Sequence, residues 1–442
     1  MKMTKELLKW IDQTPTAFHA VQNSVELLQK NGFLPLLEGE EWNIEPGKGY
    51  YVTRNQSSLI AFRIPLSSPR GFMITASHTD SPAFKLKPEG LSASAGLVRL
   101  NTELYGGAIL SSWLDRPLSL AGRVTVFQNG VFESKLINFD RDMLIIPNVA
   151  IHQNRKINAG FEYNLAVDML PLFSDDPKAS LKALVAKELK VREDAIRGMD
   201  LYVYNRMRGT MLGSDSETFF AAPRIDNLAS VFTTLQGFIQ AENPYAVNVL
   251  FAADNEETGS VSKQGAGSVF LSDVLSRICE AIKTDKRQML ASSMMLSCDN
   301  AHAKHPNHPE LSDGQNAPVL GGGVVIKSNA AQKYTTDGMS SAVFEEICKG
   351  VSVPVQYYTT RSDLPSGSTL GSISNTNVPL LSVDIGMAQL AMHSAYETAH
   401  AKDVALMIRS IEAFYRTSVN TTADGALSLH FFNDTAKENA NV

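Results

Sequence analysis

The segment Val247–Gly259, VNVLFAADNEETG, decides how this chain is read. Val247 to Ala253 is an unbroken apolar run with the length and composition of a buried strand. It turns abruptly acidic at Asp254, Glu256 and Glu257, and Thr258-Gly259 then reads as a turn or helix start. Carboxylates this close raise each other's pKa values unless cations compensate them. Two readings follow: a solvated loop after a strand, or a carboxylate pair in which one member holds a metal and its neighbour is a general base.

The wider chain has ordinary soluble globular composition. Its 442 residues are 44% hydrophobic and 19% charged, enough for a large core and two domains. A net charge of -6 argues against a nucleic-acid partner. No signal peptide or membrane span is visible, so a cytoplasmic location is expected. Cys279, Cys298 and Cys348 lack metal-type spacing and read as reduced, mostly buried thiols.

Periodicity outlines the elements. Thr4–Gln13 and Thr16–Lys30 read as amphipathic helices broken at Thr14-Pro15, with His19 a packing residue on the second. Strands are expected at Gly49–Thr53, Ser58–Ile64 and Phe72–Ala76. The last runs into His78-Thr79-Asp80, where alternate side chains share a face, so Asp80 can fix the His78 ring. Residues 91–220 have a different texture: a hairpin about Asn129-Gly130, strands near Met143–Ile146 and Leu201–Tyr204, and a helix at Asp176–Glu188. This block reads as a β-rich domain inserted into a discontinuous domain of residues 1–90 and 221–442. Within it, His152 is either a strand-end residue or a site residue.

Strand–helix alternation then returns. Asp226 precedes a helix to Gln240 and is either its cap or a ligand. Ser292–Ser297 is a strand ending in Asp299, followed by His302, His305 and His308. Gly323–Lys327 is a strand, and Tyr334 is expected to open a helix to Cys348. Val353–Thr359 and Val378–Ile385 are further strands, the second followed by His393. A helix over Ala401–Val419 and a polar, frayed tail after Asn433 complete the chain.

His78, Glu256, Glu257, Asp299 and His393 thus all follow the C-terminal end of an apolar strand, and Asp226 starts a helix. In an open, mostly parallel α/β sheet such positions converge on one crevice. Two imidazoles and three carboxylates suit two divalent ions, and this ligand chemistry favours zinc, cobalt or manganese. Two such ions can activate water and polarise a carbonyl, with one unliganded glutamate taking the proton.

The motifs TASHTDSPAFKLKP (75–88), PNVAIHQNRKIN (147–158), RIDNL (224–228), DNEETGS (254–260), DNAHAKHPNH (299–308), IKSNAAQKY (326–334), SDLPSGSTLG (362–371) and QLAMHS (389–394) together resemble the aspartyl aminopeptidase family of dinuclear zinc metallopeptidases. The resemblance covers nearly the whole chain. It implies an α/β, mixed-sheet aminopeptidase (phosphorylase/hydrolase-like) catalytic domain interrupted by a β-rich oligomerisation domain. It further implies that His78 and Asp299 hold one metal, that Glu257 and His393 hold the other, and that Asp226 bridges them. Glu256 would be the general base and Asp80 the carboxylate behind His78. His302, Lys327 and Tyr334 would contact substrate, and His152 would act from a neighbouring subunit. The implied substrates are peptides with an N-terminal Asp or Glu, and the implied assembly is a homo-oligomer, a dodecamer. A cation such as Lys327 at the pocket base would pair with an acidic side chain. Thr258, Asn300 and Ala331 depart from the commoner residues; none is a proposed ligand, and they bear on substrate preference. Two other readings remain: a dinuclear aminopeptidase or N-acyl amino acid hydrolase of different side-chain preference, and a non-catalytic assembly protein with a relic site.

Overall fold

The computed structural model describes residues 1–214 and 218–432; the tail expected to fray after Asn433 lies outside the described residues. Among the described residues the chain builds a nine-stranded mixed sheet with helices on both faces. Its centre is a parallel set, Ala246–Ala253, Gly71–His78, Met294–Cys298 and Leu381–Gly386 in spatial order. All eight residues of Ala246–Ala253 are buried, as are all eight of Gly71–His78. Their near-continuous apolarity follows from being covered on both sides. Ser58–Arg63 pairs antiparallel with Ala246–Ala253 on one side, and Val324–Lys327 pairs antiparallel with Leu381–Gly386 on the other.

One face packs under the helices Lys2–Asp12, Ala17–Lys30, Ile225–Gln240, Gly338–Gly350 and Ala401–Tyr415, whose apolar stripes merge into one core. The other face packs against Phe270–Ala281, through Phe270, Val274 and Ile278. Cys279, Cys298 and Cys348 are free and buried in these layers. None of the described helices is long and apolar enough to cross a membrane.

A second, six-stranded antiparallel sheet has its own core about Phe84, Trp113, Leu120 and Val203. The hairpin Leu118–Gln128 to Val131–Asn138 closes at Asn129 (φ 53°) and Gly130 (φ 81°), the paired left-handed residues that Asn-Gly supplies. Ala83–Ser94, most of which precedes residue 90, belongs to this sheet. Phe219–Ala222 instead joins a small five-stranded sheet with Thr210–Leu212, Glu397–His400, Ala388–Leu390 and Ala301–His302.

Three expected elements change. Tyr334 lies outside the helix, which starts at Gly338 because Asp337 caps it, accepting from the Ser340 N–H while Ser340 Oγ takes the Asp337 N–H. The last long helix stops at Tyr415, and the chain forms the hairpin Thr417–Ala423 to Ala426–Phe431. Thr417, Val419, Thr421 and Thr422 prefer extended backbone, and Asp424-Gly425 supplies the turn. Around Met143–Ile146 only isolated bridges form.

Candidate active site

His78, the last residue of its strand, is almost completely buried. Its Nδ1 lies 3.1 Å from the Asp80 carbonyl and 3.3 Å from Asp80 Oδ1, which sets the ring's orientation. Its Nε2 points at three carboxylates: Asp226 Oδ1 at 3.5 Å, Asp299 Oδ1 at 3.7 Å and Glu256 Oε2 at 3.9 Å.

Asp80 also explains the path of the acidic loop. It accepts the Tyr105 hydroxyl at 2.7 Å and the main-chain N–H groups of Glu256 (3.2 Å) and Glu257 (3.1 Å). Those amides open the short 3-10 turn Glu256–Thr258, so a carboxylate meets the free donors of a turn start. Asn255 (φ 62°) makes the reversal, and its amide donates to the Tyr105 hydroxyl at 2.9 Å. The solvated-loop reading of this segment therefore fails: the loop is folded back onto a buried carboxylate.

Asp226 interrupts the helical backbone near the start of Ile225–Gln240, with φ −82° and ψ 111°, and its Oδ1 accepts no hydrogen bond. Its carboxylate lies between two imidazoles, with Oδ1 toward His78 and Oδ2 3.5 Å from His393 Nε2. His393 Nε2 is also 3.4 Å from Glu257 Oε2, and its Nδ1–H donates to the Gly107 carbonyl at 2.8 Å. His393 does not leave the main sheet directly. It sits in a left-handed turn (φ 68°) of the small sheet, between Ala388–Leu390 and Glu397–His400.

Asp299 follows Met294–Cys298 and shares its charge between His78 and Lys327, whose ammonium is 3.2 Å from Oδ2. Lys327 is 2% exposed, also donates to the Asn300 carbonyl at 3.1 Å, and lies 5.2 Å from the Tyr334 ring centre. Burial alone would lower its pKa, but Asp299 keeps it above the ordinary lysine value. His302, Lys327 and Tyr334 line one cleft with His78, Asp226, Glu256, Asp299 and His393. Ser368 and Thr369 of the 362–371 motif and Met392 of the 389–394 motif line it too, as does Tyr358, which no motif contains. His152 does not line the cleft; it is exposed in the turns after Pro147. Asn300 lines the cleft too, and its side-chain amide donates to the Ile225 carbonyl and to Gln389 Oε1.

Glu397 is the site residue that sequence reading missed. It is fully buried behind the cluster, and accepts the main-chain N–H of Asp226 at 2.9 Å and of His393 at 2.8 Å. Its only sequence signal is an acidic residue four positions after His393, in a strand of alternating burial.

The electrostatics fit cations. Burial pushes Glu256 up to about 8, with Asp299, Asp80 and Asp226 adding to the effect against His78. Burial and Asp226 also carry Glu257 well above the usual range. Burial pulls His78 and His393 down, yet the facing carboxylates carry His78 well above its ordinary value and His393 up to about 10. Burial pushes Asp226 up, but bonding to the two imidazoles holds it well below its ordinary value. Acidic charge gathered in the interior draws positive charge to the site, a role that divalent cations would fill. Two buried oxygens, Asp226 Oδ1 and Glu257 Oε1, find no hydrogen-bond partner. Asp226, Glu257 and His78 each offer one ligand atom, all within 4.8 Å of one another. These donors are imidazole and carboxylate only, as zinc accepts.

Comparison with known proteins agrees with this chemistry. The family described as "Aminopeptidase I zinc metalloprotease (M18)" matches residues 10–415. A probable M18 family aminopeptidase 2 of Clostridium novyi is 43% identical over 428 residues, covering 94% of this chain and 99% of the relative. The fold is similar to the structure of the Ape4 and Nbr1 complex, with a TM-score of 0.90, 31% identity and coverage of 100% and 95%. It is also similar to the mApe1 dodecamer of S. cerevisiae, with a TM-score of 0.83, 27% identity and coverage of 93% and 95%. A family match over most of the chain, on a mixed α/β fold whose buried imidazoles and carboxylates suit zinc, leads to one conclusion: this chain belongs to the M18 family of zinc aminopeptidases.

Proposed function

We propose that this chain releases N-terminal aspartate or glutamate from peptides with a two-cation site. The observation that carries the reading is the joining, in one cleft, of the His78–Asp226–His393 cluster to the buried ammonium of Lys327. His78 and Asp299 would hold one ion, Glu257 and His393 the other, and Asp226 would bridge. Zinc is the expected metal, with cobalt and manganese as alternatives. Bound there, the ions supply Lewis acidity toward water and the scissile carbonyl.

The chain's own residues do the rest. Glu256 takes the proton from the attacking water and returns it to the leaving amine. Asp80 fixes the His78 ring and, through the Glu256 and Glu257 amides, the position of the base. Lys327, with His302 and Tyr334, receives the side chain of the leading residue. The division into a catalytic domain of residues 1–90 and 221–442 and an inserted oligomerisation domain of residues 91–220 belongs to the same proposal. So do a cytoplasmic location, a homo-oligomer of twelve subunits, and His152 acting in the cleft of a neighbouring copy. The dodecamer of the yeast relative supports the oligomer, and the exposure of His152 supports its role in a neighbouring copy.

One observation favours a second reading, an aminopeptidase of different side-chain preference: Lys327 is already paired with Asp299 at 3.2 Å. A panel of peptides led by Asp, Glu, Leu, Ala and Lys, assayed before and after chelation and after zinc, cobalt or manganese is restored, separates the two. Fastest cleavage of the Asp and Glu peptides supports the first reading; no preference for them overturns it.

A further inference from the structure

Behind the cluster runs a chain of buried polar side chains. Glu397 lies on the Glu397–His400 strand, within the small sheet rather than the main one. Each of its carboxylate oxygens takes one main-chain N–H from a different segment: Oε2 from Asp226 at 2.9 Å, Oε1 from His393 at 2.8 Å. Gln389 Nε2 donates to Oε1 at 3.2 Å, and Asn300 Nδ2 donates to Gln389 Oε1 at 2.8 Å. Asn300 follows Asp299 directly, and its amide also donates to the carbonyl of Ile225, the residue before Asp226. Three side chains thus join the three segments that present Asp226, Asp299 and His393.

We propose that Glu397, continued through Gln389 and Asn300, is a positioning residue that sets the separation of the two cation positions. The inference rests on the two-cation reading above. Glu397 is 1% exposed and does not line the substrate cleft, so it acts only through the segments it holds. The geometry demands a carboxylate. Two amide donors approach from different segments, one to each oxygen, and a carboxamide would offer one acceptor and turn an NH2 group toward the other donor. His393 holds a left-handed backbone that non-glycine residues seldom adopt, and the bond from its own N–H to Glu397 supports that conformation. Residues that orient metal ligands in this way set metal affinity without touching the metal.

The test is metal uptake by purified full-length protein, stripped with chelator and titrated with Zn²⁺ against a competing fluorescent chelator, alongside kcat and KM for an Asp-leading peptide. In Glu397→Gln, one of the two ions should bind about 10- to 100-fold more weakly. Turnover should fall at limiting zinc and recover at saturating zinc, with KM within about twofold of wild type, since the side chain does not touch peptide. Gln389→Met, which cuts the next link, should show a smaller loss on the same ion. A merely structural role would lower thermal stability and leave zinc affinity alone. A folded Glu397→Gln protein that binds both ions as tightly as wild type overturns the proposal; if that variant does not fold, wild-type affinities in Gln389→Met overturn it. Wild-type protein that binds no second ion overturns the two-cation reading itself, and this inference with it.

Discussion

His78 and His393 face each other across one carboxylate: the Nε2 atoms of both lie 3.5 Å from Asp226, one at each oxygen. They reach this position by different routes. His78 ends a central strand of the main sheet, whereas His393 comes from a turn of the small sheet, its ring held by the Gly107 carbonyl. Asp226 is almost fully buried between them.

Metal removal should therefore be felt by the fold as well as by the chemistry. Asp226, Glu256, Glu257 and Asp299 converge here, and stripping cations leaves their repulsion to be relieved by protonation. Chelation should abolish peptide cleavage and lower the melting temperature. Zinc restored to a hundred times its Kd should return about 2.7 kcal/mol of stability. Calorimetric melts of stripped and reloaded protein check this; identical melts would contradict it.

Glu256→Gln separates binding from proton transfer. The side chain keeps its size, and the loop stays anchored because Asp80 holds the main-chain amides of residues 256 and 257. Turnover should fall by about 10²- to 10⁴-fold, the usual worth of a general base. Metal content, measured by elemental analysis, should match wild type. Wild-type turnover in this variant would remove Glu256 from the mechanism.

Lys327→Met tests the source of acidic preference. Methionine fills much of the same buried volume without the ammonium. If Lys327 receives the substrate carboxylate, kcat/KM for Asp- and Glu-leading peptides should drop about 10- to 100-fold, the worth of a charge-assisted hydrogen bond. Leu-leading peptides should change far less. A uniform loss across the panel would instead assign Lys327 to holding Asp299, its present partner.

His19, far from the cleft in sequence, predicts a pH effect on stability. Burial, with Arg224 nearby, lowers its pKa from 6.5 to about 4, and its Nδ1 lies 2.9 Å from Thr16 Oγ1. As pH falls below 6.5 the unfolded chain takes up the proton first, so the unfolded state gains. The contribution is full above about pH 6.5 and is lost progressively toward pH 4, amounting to roughly 3 kcal/mol. Urea unfolding at pH 7.5 and 4.5 should show a smaller pH-dependent loss in His19→Gln than in wild type. An equal loss would mean that His19 is not held neutral.

Sequence alone determined the strands whose covering is symmetrical. Val247–Ala253 and Phe72–Ala76 read as buried strands because a strand packed on both faces must be apolar at every position. The same logic delivered His78, Glu256, Glu257 and Asp299, since chemistry gathers at the ends of such strands. Local turn chemistry gave the Asn129-Gly130 hairpin outright. Tertiary structure alone decided what depends on contacts distant in sequence. His393 reaches Asp226 by way of a small sheet built from residues near 210, 220, 301, 389 and 398, and no local pattern announces that pairing. Glu397 reads as an ordinary strand glutamate until folding places the amides of Asp226 and His393 on its two oxygens. Asn300 lies beside Asp299 in the chain, yet its side chain bonds to Gln389. Burial periodicity is written into neighbouring residues, whereas a buried hydrogen bond between positions 226 and 397 exists only once the sheets have brought them together.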